Sequence, residues 1–206
     1  MAGDFPPISR ISADRPPLVD DEGLRRTLGE YLAAAVPQFY KLVPVDSAVL
    51  HGVLGASIGA PGSEFENSFM AGTAERPAGI VASVPIDRLK RAQQASTISL
   101  MRHIEREDLA AFRSAVAEYS SSVESIEGSG RYLSRVAVAR EARGTGLGER
   151  LVAQIIAEAA GGNVWLHVAK DNGNAIRLYE RLGFEFVSDA QFASRAMRRP
   201  GRRVGQ

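Results

Sequence analysis

The stretch whose reading decides the fold is Val136-Ala137-Val138-Ala139-Arg140-Glu141-Ala142-Arg143-Gly144-Thr145-Gly146-Leu147-Gly148-Glu149-Arg150-Leu151. It reads as a strand, a short loop and a glycine-marked turn into a helix. Glycines alternate at 144, 146 and 148, so backbone N–H groups can turn toward one point with no Cβ atoms in the way. Leu147, Leu151, Val152, Ile155 and Ile156 then recur at helical spacing. A helix N-terminus entered through such a turn suits a phosphate group. Two common phosphate cradles fail on spacing. A Walker-type loop needs a lysine and a hydroxyl residue after its last glycine, and here Glu149 and Arg150 follow Gly148. A dinucleotide fingerprint needs a third glycine three places after the second, where this chain has Glu149. A helix start that binds nothing is the plain structural alternative. Three glycines where one would make the turn speak against it.

The chain of 206 residues suits one domain with a substantial core. Its apolar and charged fractions of 45% and 24% are those of a soluble globular protein. A formal net charge of +1 leaves no excess of positive charge for a dedicated nucleic-acid binder. The sequence holds no cysteine, which excludes disulfides, thiolate metal sites and a cysteine nucleophile and fits a reducing, cytoplasmic compartment. No secretory leader is readable, and no apolar run reaches membrane-spanning length.

Met1 to Pro7 is expected to fray. Ile8 to Ile11 reads as a first strand, stopped by Pro16-Pro17. Asp20 or Asp21 can cap a helix bearing Leu24, Leu28, Tyr31 and Leu32, which Pro37 should end. Asp46 or Ser47 can cap a second helix, broken by Gly59-Ala60-Pro61-Gly62. Glu64 to Ala71 and Ala78 to Val84 read as a hairpin. Two helices follow, one from Ile86 to Met101 and one from Glu107 to Tyr119. A weakly structured segment then runs between Ser120 and Gly130. Tyr132 to Val138 is a strand, and the helix after the glycine turn stops at Gly161-Gly162. Val164 to Val168 is apolar almost throughout, as a central strand should be. A short helix from Asp171 or Asn172 to Leu182, a strand at Phe184 to Val187 and a last strand within Gln191 to Arg198 complete the order. The basic tail from Arg198 to Arg203 is expected to be mobile and solvated. The alternation implies an α/β chain with a mixed sheet and helices on its faces.

Arg143-Gly144-Thr145-Gly146-Leu147-Gly148 resembles the Arg/Gln-x-x-Gly-x-Gly/Ala signature of the GNAT superfamily, the acyl-CoA-dependent N-acyltransferases. Asn172, Ala175, Leu178-Tyr179 and Gly183-Phe184 resemble the family's second pattern, in the right order and spacing. The clear resemblance covers Tyr132 to Val187. It implies a mostly antiparallel mixed sheet with a splayed strand pair that holds acyl-CoA, and acetyl-CoA as co-substrate with no metal. The backbone of Arg143, Gly144, Thr145, Gly146, Leu147 and Gly148 would hold the coenzyme A pyrophosphate. The edge of Val136, Ala137 and Val138 would pair with the pantetheine arm and supply an N–H near the thioester carbonyl. Asn172 and Ala175 would lie along the slot, and Tyr179 near the sulfur, as acid for the departing thiolate.

Transfer to an amine also needs a place for the amine's proton. Some relatives carry a glutamate on the strand before the turn. The comparable position here is Tyr132, with Ser134 and Arg135 beside it, none of them a good base at neutral pH. Glu64, Glu66, Glu124 and Glu127 read as solvated surface carboxylates. A water chain or an already neutral amine would also serve, and no base is assigned. His167 could point into the slot, although a lone strand histidine is more often packed and hydrogen-bonded. His51, His103 and His167 form no metal-ligand cluster.

The expected activity is acetyl transfer to a primary amine by direct attack in a ternary complex. The acceptor would be a small molecule or peptide, with no nucleic acid or membrane partner. The helical segment 86–119 would shape the acceptor pocket or a homodimer contact. A catalytically silent coenzyme-binding or sensory module and a purely structural domain are the alternatives.

Overall fold

The computed structural model describes residues 5–14, 18 and 20–201. Strand β1 (Ile8–Ile11) leads to helix α1 (Glu22–Ala35), the short α2 (Pro37–Tyr40) and α3 (Ser47–Ser57). The hairpin β2 (Asn67–Gly72) and β3 (Pro77–Pro85) follows, then α4 (Ile86–Met101) and α5 (Leu109–Ser121). The second half runs β4 (Arg131–Val138), α6 (Leu147–Glu158), β5 (Val164–Ala169), α7 (Gly173–Arg181), β6 (Glu185–Phe186) and β7 (Ser194–Arg199). All seven strands join one sheet in the order β1-β2-β3-β4-β5-β7-β6, antiparallel except where β4 meets β5.

Side-chain caps start three helices where the sequence places them. The Asp21 carboxylate accepts from the Leu24 N–H at 2.7 Å, Asp46 from Val49 at 2.9 Å and the Asn172 amide oxygen from Ala175 at 3.1 Å. Each satisfies a backbone donor that the helix itself cannot. Alternation along β3 then distributes the helices over both faces. Ile80 and Ala82 pack with Leu28 and Leu32 of α1, Leu50 and Leu54 of α3, Leu100 of α4 and Phe112 of α5. Val81 packs with Leu147, Leu151 and Ile155 of α6, Leu166 of β5 and Tyr179 of α7. Each such aliphatic side chain contributes on the order of 1.5–3 kcal/mol on burial. Helices α1 and α3 approach closely through two glycines. A Cβ on Gly29 would lie 2.0 Å from the His51 carbonyl oxygen, and one on Gly55 would lie 2.2 Å from that of Arg25.

One feature of the sheet positions the site. Parallel strands β4 and β5 pair only at Arg131 with Val164 and Tyr132 with Trp165, then part. The cause lies in β4. Its register against β3 shifts between Ala82, opposite Arg135, and Ser83, opposite Leu133, so Ser134 is an extra residue. Such a bulge bends its strand and raises its twist. The mixed sheet, helices on both faces and splayed pair match expectation.

Several local expectations are corrected. Pro37 does not only end α1; it opens α2, where its missing N–H costs nothing. Glu64, Phe65 and Glu66 lie in turns before β2 rather than in the strand. The terminal strand at 184–187 shrinks to Glu185–Phe186. Phe5 to Pro7 is docked, not frayed: the Arg150 guanidinium lies 4.6 Å above the Phe5 ring, and the Pro7 carbonyl accepts from Gly72 at 2.9 Å. Arg198 and Arg199 belong to β7, and the Gly201 N–H donates to the Asn163 side-chain oxygen at 2.9 Å. The expected stop at Pro16-Pro17, residues 1–4 and the tail beyond Gly201 lie outside the described residues.

Candidate active site

The glycine turn is built as a phosphate cradle requires. After β4, Arg140–Ala142 forms one 3-10 turn, and Gly144 and Gly146 take φ of 77° and 89°, left-handed values that suit glycine. The Thr145 hydroxyl donates to the Ala142 carbonyl at 2.7 Å and the Arg143 Nε–H to that of Val138 at 3.3 Å, which hold the loop in shape. Gly146 caps α6 without any side-chain hydrogen bond, and residues 143–146 are exposed. The first N–H groups of α6, at the positive end of the helix, thus face solvent. Gly148 differs from the expectation of three equivalent glycines. It lies inside α6 without a left-handed φ, and a Cβ there would make only ordinary contact with Leu178 and Val138 at 3.5 and 3.6 Å, so neither the backbone nor the packing requires glycine.

Beyond Tyr132, one edge of β4 pairs with β3 and the other has no strand beside it. Val136, Ala137 and Val138 lie on this open edge, half-buried. The gap opens into a cavity of about 1030 Å³. Asn172, Ala175 and Tyr179 line it, together with Tyr132, Ser134, Arg135 and His167. Val136–Val138 and the turn Arg143–Gly148 lie outside its lining, so the expected site residues divide between the open strand edge with its exposed turn and the enclosed cavity. The far wall comes from the first half of the chain: Phe39 and Tyr40 of α2, Glu64, Leu89 and Gln93 of α4, and Tyr119 of α5. The helical segment 86–119 therefore does shape the cavity.

Tyr179 is buried at 6% exposure, and its ring packs against Phe184 with centroids 5.7 Å apart. Burial pushes its phenol up to about 12, so it is a proton donor across the physiological range. Asn172 spends its side-chain oxygen on capping α7.

Two carboxylates expected at the surface are buried instead. Glu64 pairs with Arg135, Oε1 to Nη1 at 3.0 Å, and Arg135 also donates to the Ser134 carbonyl and the Tyr40 hydroxyl. Burial is the largest single influence and works against the Arg135 charge, but the Glu64 carboxylate together with the Tyr40 and Tyr132 phenols outweighs it and raises the guanidinium's pKa. The β4 bulge makes this possible: Ser134 and Arg135, consecutive in sequence, both line the cavity. Glu124 accepts from the Ser188 hydroxyl and, at 2.8 Å, from the Ala196 N–H. It thereby fastens the segment between α5 and β4, expected to be weakly structured, onto β7; Val123 also bridges to Ser194.

His167 is both packed and directed into the gap. Its Nδ1 lies 3.0 Å from the Tyr132 hydroxyl and its Nε2 2.6 Å from the Glu124 carbonyl oxygen. Burial lowers its pKa, with the Glu124 hydrogen bond opposing, and so favours the neutral ring. Burial likewise raises the Tyr132 phenol, reinforced by the Glu64 charge. Neither the pair nor the Glu64–Arg135 bridge is readable locally; a polar histidine inside an apolar strand is the one signal.

Among the described residues there is no group of three or more candidate metal ligands and no helix long and apolar enough to cross a membrane.

Comparison with known proteins places this geometry. Among solved structures, the chain is similar to a Corynebacterium glutamicum protein described as histone acetyltransferase HPA2 and related acetyltransferase, with 20% identity over 97% of this chain and 98% of that one and a TM-score of 0.61. It is also similar to an N-acetyltransferase from Staphylococcus aureus Mu50, with 12% identity over 86% of this chain and 96% of that one and a TM-score of 0.67. These likenesses show a shared fold. No curated protein matches. The model of the acetyltransferase (GNAT) family matches residues 66–184, more than half of the chain and well beyond the part in which its motifs are readable. With its fold, its glycine turn and that match in agreement, the chain belongs to the acetyltransferase (GNAT) family.

Proposed function

We propose that the protein transfers an acetyl group from acetyl-CoA to a primary amine by direct attack in a ternary complex. The observation that carries this reading is the parting of β4 from β5 after two residue pairs, with an exposed glycine turn at the outer end and a tyrosine-lined cavity inside. The pyrophosphate would meet the N–H groups of Arg143 to Gly148, and the pantetheine arm would add along Val136, Ala137 and Val138 as an extra strand. An N–H of that edge would stabilise the oxyanion, a contribution of about 3 kcal/mol for one such donor. Asn172 and Ala175 would flank the arm. Tyr179, protonated and dry, would give its phenolic proton to the departing thiolate.

Isothermal calorimetry with acetyl-CoA tests the first half of the reading, and no binding at millimolar ligand overturns it. Binding should also stabilise the fold by about 2.7 kcal/mol at a hundredfold excess over Kd. A silent coenzyme-binding module is favoured by one observation, the pairing of the cavity carboxylate Glu64 with Arg135. Thiol release from acetyl-CoA with a panel of amines separates the two: a module binds without release.

A further inference from the structure

At the closed end of the gap, Tyr132 of the last β4–β5 residue pair is joined to His167, two residues beyond its partner Trp165 on β5. The direction of the link follows from its far end. The Glu124 carbonyl can only accept, so the hydrogen bond at 2.6 Å puts the ring proton on Nε2 and leaves a lone pair on Nδ1. Tyr132 therefore donates its hydroxyl proton to Nδ1 across 3.0 Å. The rings meet edge to face with centroids 5.6 Å apart, and both line the cavity that Tyr179 lines. Two bonds thus hold the imidazole in a single tautomer, its only free lone pair occupied by a phenol that faces the reacting space.

We propose that Tyr132 and His167 are the proton acceptor of the transfer: Tyr132 Oη takes the proton of the attacking amine nitrogen while handing its own to His167 Nδ1. This rests on the acetyltransferase reading above. As the N–C bond forms and the C–S bond breaks, the amine proton arrives on Tyr132, the Tyr132 proton makes His167 an imidazolium, and Tyr179 protonates the sulfur. The imidazolium then returns one proton, through the cavity, to the Tyr179 phenolate, and both groups regain their starting forms.

A weak base suffices for this step. A free ammonium with a pKa near ~10 would not yield its proton to a buried imidazole. An amine nitrogen already bonding to the carbonyl carbon is far more acidic. The charged and titratable groups around the pair fit the passage of a proton. Glu124 faces His167 from the segment after α5 and favours the imidazolium, whereas Arg135 on β4 disfavours it. At Tyr132, burial first and then Glu64, Tyr119 and Tyr179 disfavour a lasting phenolate and outweigh Arg135, which favours one, so the phenol relays the proton.

The test uses the full chain, acetyl-CoA and a panel of small primary amines (benzylamine, putrescine and glycinamide). The variants are Tyr132→Phe and His167→Gln, whose amide can still donate to the Glu124 carbonyl. Both should lower kcat by about a hundredfold or more, with KM for acetyl-CoA unchanged. The unmutated chain should lose kcat on the acid side as His167 protonates, below the ordinary histidine value of 6.5, and His167→Gln should lack that limb. A merely structural role moves neither the kcat-to-KM split nor the limb. Undiminished kcat in both variants, or the same acid limb in His167→Gln, overturns the relay alone. Absence of acetyl-CoA binding or thiol release in the unmutated chain overturns the acetyltransferase reading, and the relay with it.

Discussion

The Glu64 carboxylate and the Arg135 guanidinium meet at 3.0 Å within the cavity wall, with side-chain exposures of 5% and 10%. Removing one member of such a pair strands the other charge in a dry place, whereas replacing both costs little. Glu64→Gln is therefore expected to destabilise the fold by about 3–5 kcal/mol. The double change Glu64→Leu with Arg135→Met should recover most of that loss. Urea unfolding of the three proteins checks both statements, and equal loss in the single and double variants would refute the pairing argument.

The α1–α3 crossing predicts opposite outcomes for neighbouring glycines. Gly29→Ala or Gly55→Ala drives a methyl group into a backbone carbonyl of the facing helix, so the helices must separate. Overpacking of this kind costs about 1–3 kcal/mol, and contact with rigid backbone belongs at the upper end or beyond. Gly52, on the same helix as Gly55, has open space where a methyl group would sit, with nothing within 4 Å. Gly52→Ala should stabilise by roughly 0.5–1 kcal/mol through helix propensity. Thermal melts of the three variants should straddle that of the unmutated chain.

At the turn, Gly146→Val forces a branched side chain into φ 89°. The left-handed conformation alone costs about 1–2 kcal/mol for a residue with a Cβ. Acetyl-CoA affinity, measured by calorimetry, should fall at least tenfold, because the N–H groups no longer share one direction. Unchanged affinity would place the pyrophosphate elsewhere.

Tyr179 links mechanism to pH. Its phenol titrates at about 12 in the folded chain against an ordinary value of about 10. Between these values the native state holds a proton that the unfolded chain has released. Stability from this group is thus complete below about pH 10 and declines as pH rises toward 12. Tyr179→Phe should flatten part of that decline, leaving the part due to Tyr132, whose phenol is also raised. The same variant should slow turnover while sparing acetyl-CoA affinity. An unaltered rate would remove Tyr179 from the chemistry.

What is legible in the sequence is local. Asp21, Asp46 and Asn172 announce helix starts because a cap acts within three residues. Gly144 and Gly146 announce the turn because φ is a property of single residues. Asn172, Ala175 and Tyr179 of the cavity lining are legible through their motif, but the pairings of the interior are not, because their partners are far apart in the chain. Glu64 is buried only because Arg135, 71 residues later, faces it. Tyr132 and His167 stand 35 residues apart and meet only when β4 and β5 are laid side by side. The bulge at Ser134 has no marker of its own, since a register shift belongs to a pair of strands.

The two residue pairs that join β4 to β5 carry a kinetic consequence. The sheet is there a zip closed at one end, and backbone amides of β4 beyond Tyr132 on the open side lack a strand to shield them. In the free protein these amides should exchange their hydrogens with solvent far faster than their neighbours facing β3. A bound arm lying along the edge would slow that exchange, residue by residue, and the protected amides would trace where the arm lies.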